Sequence, residues 1–310
     1  MPPICSLEEC CISASAPYED ILALLKLRGG IVIKGLIDPQ DCLKIKQELQ
    51  PLLDLQSPEA RGDSAEDEAF FPVTTRKVAA LITNSETFAH KIVLNPTLLA
   101  VAKDILTIRN RAWVVESRPW IRSDPQVNLT LTLEWLHRDD YTFNRMHQKA
   151  DVWSQGRDLS ILSFTACSKV TPENGGTMWI PGSHLWGEEE STPSFDQALS
   201  ATMDVGDTFL TFHGGGTNSM KQGEKDSVRT LVGLGFCSGV CRQEENQFLS
   251  LDHEKLKKLP IEIQKLAGWS ISQPNVGCVA FDHPLKQLGH TGKIAAYDEN
   301  VFYETEAVTA

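Results

Sequence analysis

His137 and Asp139 stand two residues apart in Leu136-His137-Arg138-Asp139-Asp140, at the end of an alternating run. On an extended backbone both side chains point the same way, so an imidazole and a carboxylate can reach one metal ion. A third donor, His213, closes another apolar run in Phe212-His213-Gly214-Gly215-Gly216. Two histidines and one carboxylate fill one face of a metal and leave the opposite positions open, as in non-haem iron(II) oxygenases. His-x-Asp alone occurs by chance in many chains. Its weight here comes from its surroundings.

One of these is Arg229, in Ser227-Val228-Arg229-Thr230, the only arginine between Arg157 and Arg242. A planar guanidinium there can fork onto the distal carboxylate of a keto acid. The blander use is an arginine snorkelling at a sheet edge. His147, His184, His253, His283 and His290 match no ligand spacing, and His184 is expected to make a structural hydrogen bond.

The elements that position these residues follow from pattern. Ile21, Leu22, Leu24 and Leu25 predict a helix from Tyr18 ended by Gly29-Gly30, and Ile31–Gly35 reads as a strand. Asp38-Pro39 opens a second helix running to about Leu52, with a cap and a first-turn proline. A helical stretch at Leu94–Ile108 precedes short β runs at Ala112–Glu116, Leu129–Leu136, Leu159–Ala166, Thr177–Ile180, Thr208–Phe212 and Val228–Phe236. A last helix lies at Ile261–Leu266. Helices come before strands instead of alternating with them. That predicts a mainly β protein with flanking helices, a two-sheet jelly roll with the metal ligands gathered at one end of the strands. Residues 1–17 lack periodicity and are expected as a flexible arm, 18–270 as the catalytic domain, and 271–310 as an extension acting as a lid or dimer contact.

At 310 residues the chain can bury a sizeable core. A net charge of −12 argues against nucleic acid or an anionic membrane as partner. No apolar stretch approaches the roughly 18 residues of a membrane span. Neither a secretory start nor a peroxisomal end is seen, so a cytoplasmic protein is expected. The eight cysteines include no Cys-x-x-Cys pair, which predicts free thiols.

Five motifs now line up. His137-Arg138-Asp139-Asp140, Glu173-Asn174-Gly175-Gly176-Thr177, Pro181-Gly182-Ser183-His184, the glycine run after His213, and Arg229 resemble the phytanoyl-CoA dioxygenase-like superfamily in order and spacing. Together with Leu266-Ala267-Gly268-Trp269, they most resemble its fungal natural-product dioxygenases, over roughly residues 18 to 270. The resemblance implies a double-stranded β-helix using Fe(II), 2-oxoglutarate and O2, with iron on His137, Asp139 and His213. It places Arg229 and Thr177 on the 2-oxoglutarate carboxylate, and it implies a homodimer. A zinc hydrolase on the same three ligands would leave Arg229 and Thr177 without a role.

One position departs from the pattern. Glu134 stands where relatives usually carry a glutamine whose amide helps hold the cosubstrate. A carboxylate there repels a dianion unless it is protonated or turned away, so the role of Glu134 stays open, as does that of Asp140. A carboxylate at Asp139 leaves no vacancy for chloride, which argues against halogenation. The segment Tyr141–Arg157 is longer than a connection needs and carries Tyr141, Phe143, Met146 and Trp153, which predicts a lid over an apolar pocket. The expected substrate is a hydrophobic polycyclic natural product, a fungal meroterpenoid first and an indole or quinolone alkaloid second. Hydroxylation, desaturation, rearrangement and endoperoxide formation all begin by hydrogen abstraction and stay open. A non-catalytic partner subunit of a related dioxygenase is the remaining alternative.

Overall fold

The computed structural model describes residues 4–55, 76–107, 119–121, 126–127, 136–138, 143, 147–187, 193–212, 229–272, 276–291 and 294. Helix α1 (Tyr18–Arg28) ends at Gly29, whose φ of 75° is the left-handed C-cap that glycine adopts freely. Helix α2 (Pro39–Asp54) starts where Asp38 accepts from the Gln40 amide, with proline in the first turn. Its buried side chains, Cys42, Ile45, Leu49 and Leu53, recur at helical spacing. The helix Pro96–Leu106 is capped by Asn95, which accepts from Thr97 and Leu98. Glu48 of α2 binds the 85–87 turn, accepting from Ser85 Oγ (2.5 Å), Thr87 Oγ1 (2.7 Å) and the Thr87 amide (3.2 Å).

Ten strands follow in the described residues: β1 (Cys11–Ser13), β2 (Gly30–Lys34), β3 (Arg76–Lys77), β4 (Pro119–Ile121), β5 (Gln126–Val127), β6 (Ser160–Ala166), β7 (Met178–Trp179), β8 (Leu199–Ser200), β9 (Thr208–Thr211) and β10 (Leu231–Ser238). Six of them form one sheet in the order β1-β2-β9-β6-β10-β4, antiparallel except where β1 joins β2 in parallel. β7 and β8 pair as a separate hairpin sheet.

The two faces of the large sheet bury different cores. Ile31, Ile33, Ile161, Leu210, Phe212, Val232, Leu234 and Phe236 pack against the helices. Alternate positions, Val32, Phe164, Ala166, Phe209 and Leu231, turn to the opposite face and meet Trp179, Leu199 and Ala201 of the small sheet. Period-two alternation therefore yields the expected helical layer outside and a sheet-on-sheet interior.

One expectation is corrected. The segment before Tyr18 is not an arm from residue 4 onward, because Cys11–Ser13 pairs with Val32–Lys34 and Cys10 is fully buried in the inner cluster. A three-residue strand has no periodicity to read. Trp153 lies against α1, with Lys26 4.7 Å over its ring and its Nε1 donating to Asp158 Oδ2 (2.8 Å), and it lines a cavity together with Leu22, Lys103, Asp104 and Gln155. The strand expected at Ala112–Glu116 lies outside the described residues, as does nearly all of Leu129–Leu136. Beyond residue 270, Leu285 and Leu288 join the helical-side core, and His290 bonds Gln264 at 2.7 Å. All eight cysteines are free.

Candidate functional site

His137 is half-buried, and its neighbour Arg138 fixes the segment. Arg138 Nη2 donates to the carbonyls of Ser183 (2.9 Å) and Trp186 (3.5 Å). Those carbonyls belong to the single 3-10 turn Ser183–Leu185 and its cap, entered through Gly182 at φ 84°. Arg157 binds the same turn, giving Nε to His184 O (2.8 Å) and Nη2 to Trp186 O (2.8 Å). Two guanidiniums thus converge on the carbonyls of the turn, that of Ser183 also taking the Trp186 amide at 3.0 Å.

His184 is fully buried at the centre of this turn. Its Nε2 lies 2.8 Å from the Lys26 carbonyl. A carbonyl only accepts, so the proton is on Nε2 and Nδ1 is bare. Burial lowers its pKa to about 4; the Lys26 bond opposes this shift, and the charges of Arg157 and Arg138 reinforce it. The neutral ring stacks on Phe212 at 5.4 Å and 13°. Phe212 is held again through its backbone, its amide donating to Gly29 O at 3.0 Å. Thr211 Oγ1 donates to the same carbonyl at 3.2 Å.

Arg229 is 2% exposed, one of the largest fully buried side chains among the described residues. Thr177 is half-buried. Each stands two positions before a member of the inner cluster, Leu231 and Trp179 respectively. The planar fork of a guanidinium is of the kind that pairs with a carboxylate. Because β9 and β10 are both antiparallel to β6, they run in the same direction. Thr211 pairs with Leu162 and Leu231 with Ala166, four positions apart along β6 (166 − 162). At ~3.3 Å per residue that is about 13 Å. Arg229, before β10, and Phe212, after β9, therefore lie toward opposite ends of the sheet.

Asp139, Asp140, His213 and Glu134 lie outside the described residues. Among the described residues no group of three or more His, Cys, Asp or Glu is placed to hold a metal. The imidazole at His137 and the buried Arg229 both fit a site for iron and a keto acid. Arg157 and the stacking of His184 on Phe212 were missed from the sequence. An arginine that ends on main-chain carbonyls leaves no spacing signature.

The phytanoyl-CoA dioxygenase (PhyH) family profile matches residues 25–223. The dioxygenase cnsJ of Penicillium expansum is 33% identical over 299 residues, covering 91% of this chain and 85% of that protein. The chain belongs to the phytanoyl-CoA dioxygenase family. Dioxygenase swnH1 of Arthroderma benhamiae is 31% identical over 288 residues, covering 89% and 91%. Among solved structures, HygX from Streptomyces hygroscopicus with nickel and 2-oxoglutarate bound matches at a TM-score of 0.49 and 18% identity, over 72% of this chain and 87% of that one. That likeness is too slight to argue from. As a member of the phytanoyl-CoA dioxygenase family the protein is a non-haem dioxygenase of jelly-roll fold that uses Fe(II), 2-oxoglutarate and O2. No helix among the described residues is long and apolar enough to cross a membrane.

Proposed function

We propose that this dioxygenase oxidises a hydrophobic polycyclic natural product, a fungal meroterpenoid ahead of an indole or quinolone alkaloid. In this reading His137, Asp139 and His213 hold Fe(II), while Arg229 and Thr177 bind the C5 carboxylate of 2-oxoglutarate. The burial of Arg229 beside the inner cluster is the observation that carries it. Bound together, iron and keto acid supply the power to remove a hydrogen from an unactivated carbon. The chain's own part is to neutralise the distal carboxylate, orient it and exclude water.

The inner sheet face supports an apolar occupant. Gly233 and Gly235 share the face of Leu231 and pair with Phe164 and Leu162. Two positions without side chains beside an aromatic and a leucine leave room for rings and offer no charge. Glu134 is read as protonated or turned from the cosubstrate, so Glu134→Gln tightens 2-oxoglutarate binding if it faces that ligand. The remainder of the 271–310 extension is read as a homodimer contact, which sedimentation of a chain truncated at 270 tests.

Anaerobic addition of Fe(II) and 2-oxoglutarate is expected to give a weak visible charge-transfer band. Its absence removes the shared centre and leaves the non-catalytic partner as the reading. If the band forms, a panel of polycyclic terpenoid and alkaloid substrates with mass-spectrometric readout identifies the class.

A further inference from the structure

We propose that His184 is a positioning residue for both histidines of the iron site, acting through the turn that carries it. The inference rests on the assignment of His137 and His213 as metal ligands. Two independent contacts leave the same turn. On one side its carbonyls, at Ser183 and Trp186, take the guanidinium of Arg138, the residue after His137. On the other side the His184 ring lies flat on Phe212, the residue before His213. The turn is itself held, by His184 Nε2 on Lys26 O (2.8 Å) and by Arg157 on His184 O and Trp186 O (2.8 Å each). The Gly182 amide also donates to Arg28 O at 2.9 Å.

The geometry is that of a bracket. His137 and His213 are 76 positions apart in the chain (213 − 137) and must meet one ion within a few tenths of an ångström. The Ser183–Leu185 turn and its cap touch the residue adjoining each ligand and hang from α1 by two main-chain acceptors. The ring also packs on Gly29, where a Cβ would overlap Nδ1 and Cγ. Neither Phe212 nor the turn can shift without the other. In this reading His184 acts through Phe212 and the turn, its Nε2 being taken by Lys26 O.

The test uses the full-length metal-free protein titrated with Co2+ as a visible probe, with thermal melting in parallel. His184→Gln can keep a donor to Lys26 O but loses the stack. It is expected to bind Co2+ about tenfold more weakly, the usual effect of losing outer support for a ligand, with an altered visible band. His184→Phe keeps the stack and is expected to recover most of the affinity. His253→Gln removes another imidazole bonded to a main-chain carbonyl, that of Phe248, and should lower only the melting temperature. If His184→Gln melts lower but binds Co2+ with parental affinity and spectrum, the proposal is overturned.

Should His184→Gln fail to melt cooperatively, Arg138→Gln decides. Losing a positive charge would by itself strengthen cation binding, so weaker Co2+ binding reports the lost tether, and unchanged or tighter binding overturns the bracket. His137→Ala separates the two layers of the argument. Parental Co2+ binding by that variant overturns the ligand assignment beneath the proposal, whereas lost binding there with parental binding in Arg138→Gln and His184→Gln overturns the bracket alone.

Discussion

Gly29 and His184 interlock: the glycine sits at φ 75°, and any Cβ on it would overlap the imidazole packed against it. One residue thus ends α1, admits the ring and supplies the carbonyl that takes the Phe212 amide. Gly29→Ala is expected to cost about 1–2 kcal/mol for the left-handed backbone alone, and more for displacing the ring. A melting temperature several degrees lower, with weaker Co2+ binding, checks it.

The same ring makes stability depend on pH. The folded pKa of about 4 lies below the ordinary 6.5, so the unfolded chain takes the proton first. Stability from this group is intact above about pH 6.5, falls as pH drops toward about 4, and then levels. The span of about 2.5 units (6.5 − 4) bounds the loss at roughly 3 kcal/mol. Urea unfolding at a series of pH values should show this decline, and His184→Gln should flatten it.

Arg229→Ala should weaken 2-oxoglutarate binding by about 30-fold or more, a buried charge pair being worth roughly 2–5 kcal/mol when one partner is removed. Metal binding should survive. Arg229→Lys should restore only part of the affinity, because an ammonium keeps the charge and loses the fork. Calorimetric titration of the Co2+ form with 2-oxoglutarate under nitrogen distinguishes these outcomes.

Far from the site, Glu48→Ala should destabilise the helical layer by about 2–3 kcal/mol, since a carboxylate accepting three hydrogen bonds leaves its donors unmatched. Denaturant unfolding measures this, and Co2+ affinity should not change.

Much of the frame could be read from local chemistry. The caps at Asp38, Asn95 and Gly29 and the spacing of Ile45, Leu49 and Leu53 mark the helices to within a residue or two. The short run Ser160–Ala166, buried on both faces, is the central strand. What could not be read depends on pairing between distant segments. β1 is too short to show a period, and the shared direction of β9 and β10 is set only by their common neighbour β6. Of the site, Arg229 was chosen for its isolation among arginines and is indeed buried. The Arg138 and Arg157 contacts fall on carbonyls, which every residue carries, so no residue type announces them. Asp139, Glu134 and His213 lie outside the described residues.

The common direction of β9 and β10 also gives the cosubstrate pocket a length scale. Thr211 and Leu231 stand about 13 Å apart along β6 at ~3.3 Å per residue, so if Arg229 grips the distal carboxylate as proposed, a keto diacid is expected to lie along the strands. The sheet then works as a gauge. On that reading oxaloacetate, one methylene shorter, and 2-oxoadipate, one longer, are both expected to bind more weakly than 2-oxoglutarate in calorimetric titration of the Co2+ form. Selectivity among keto acids would then follow strand register, through a distance that no substitution at the proposed metal ligands would alter.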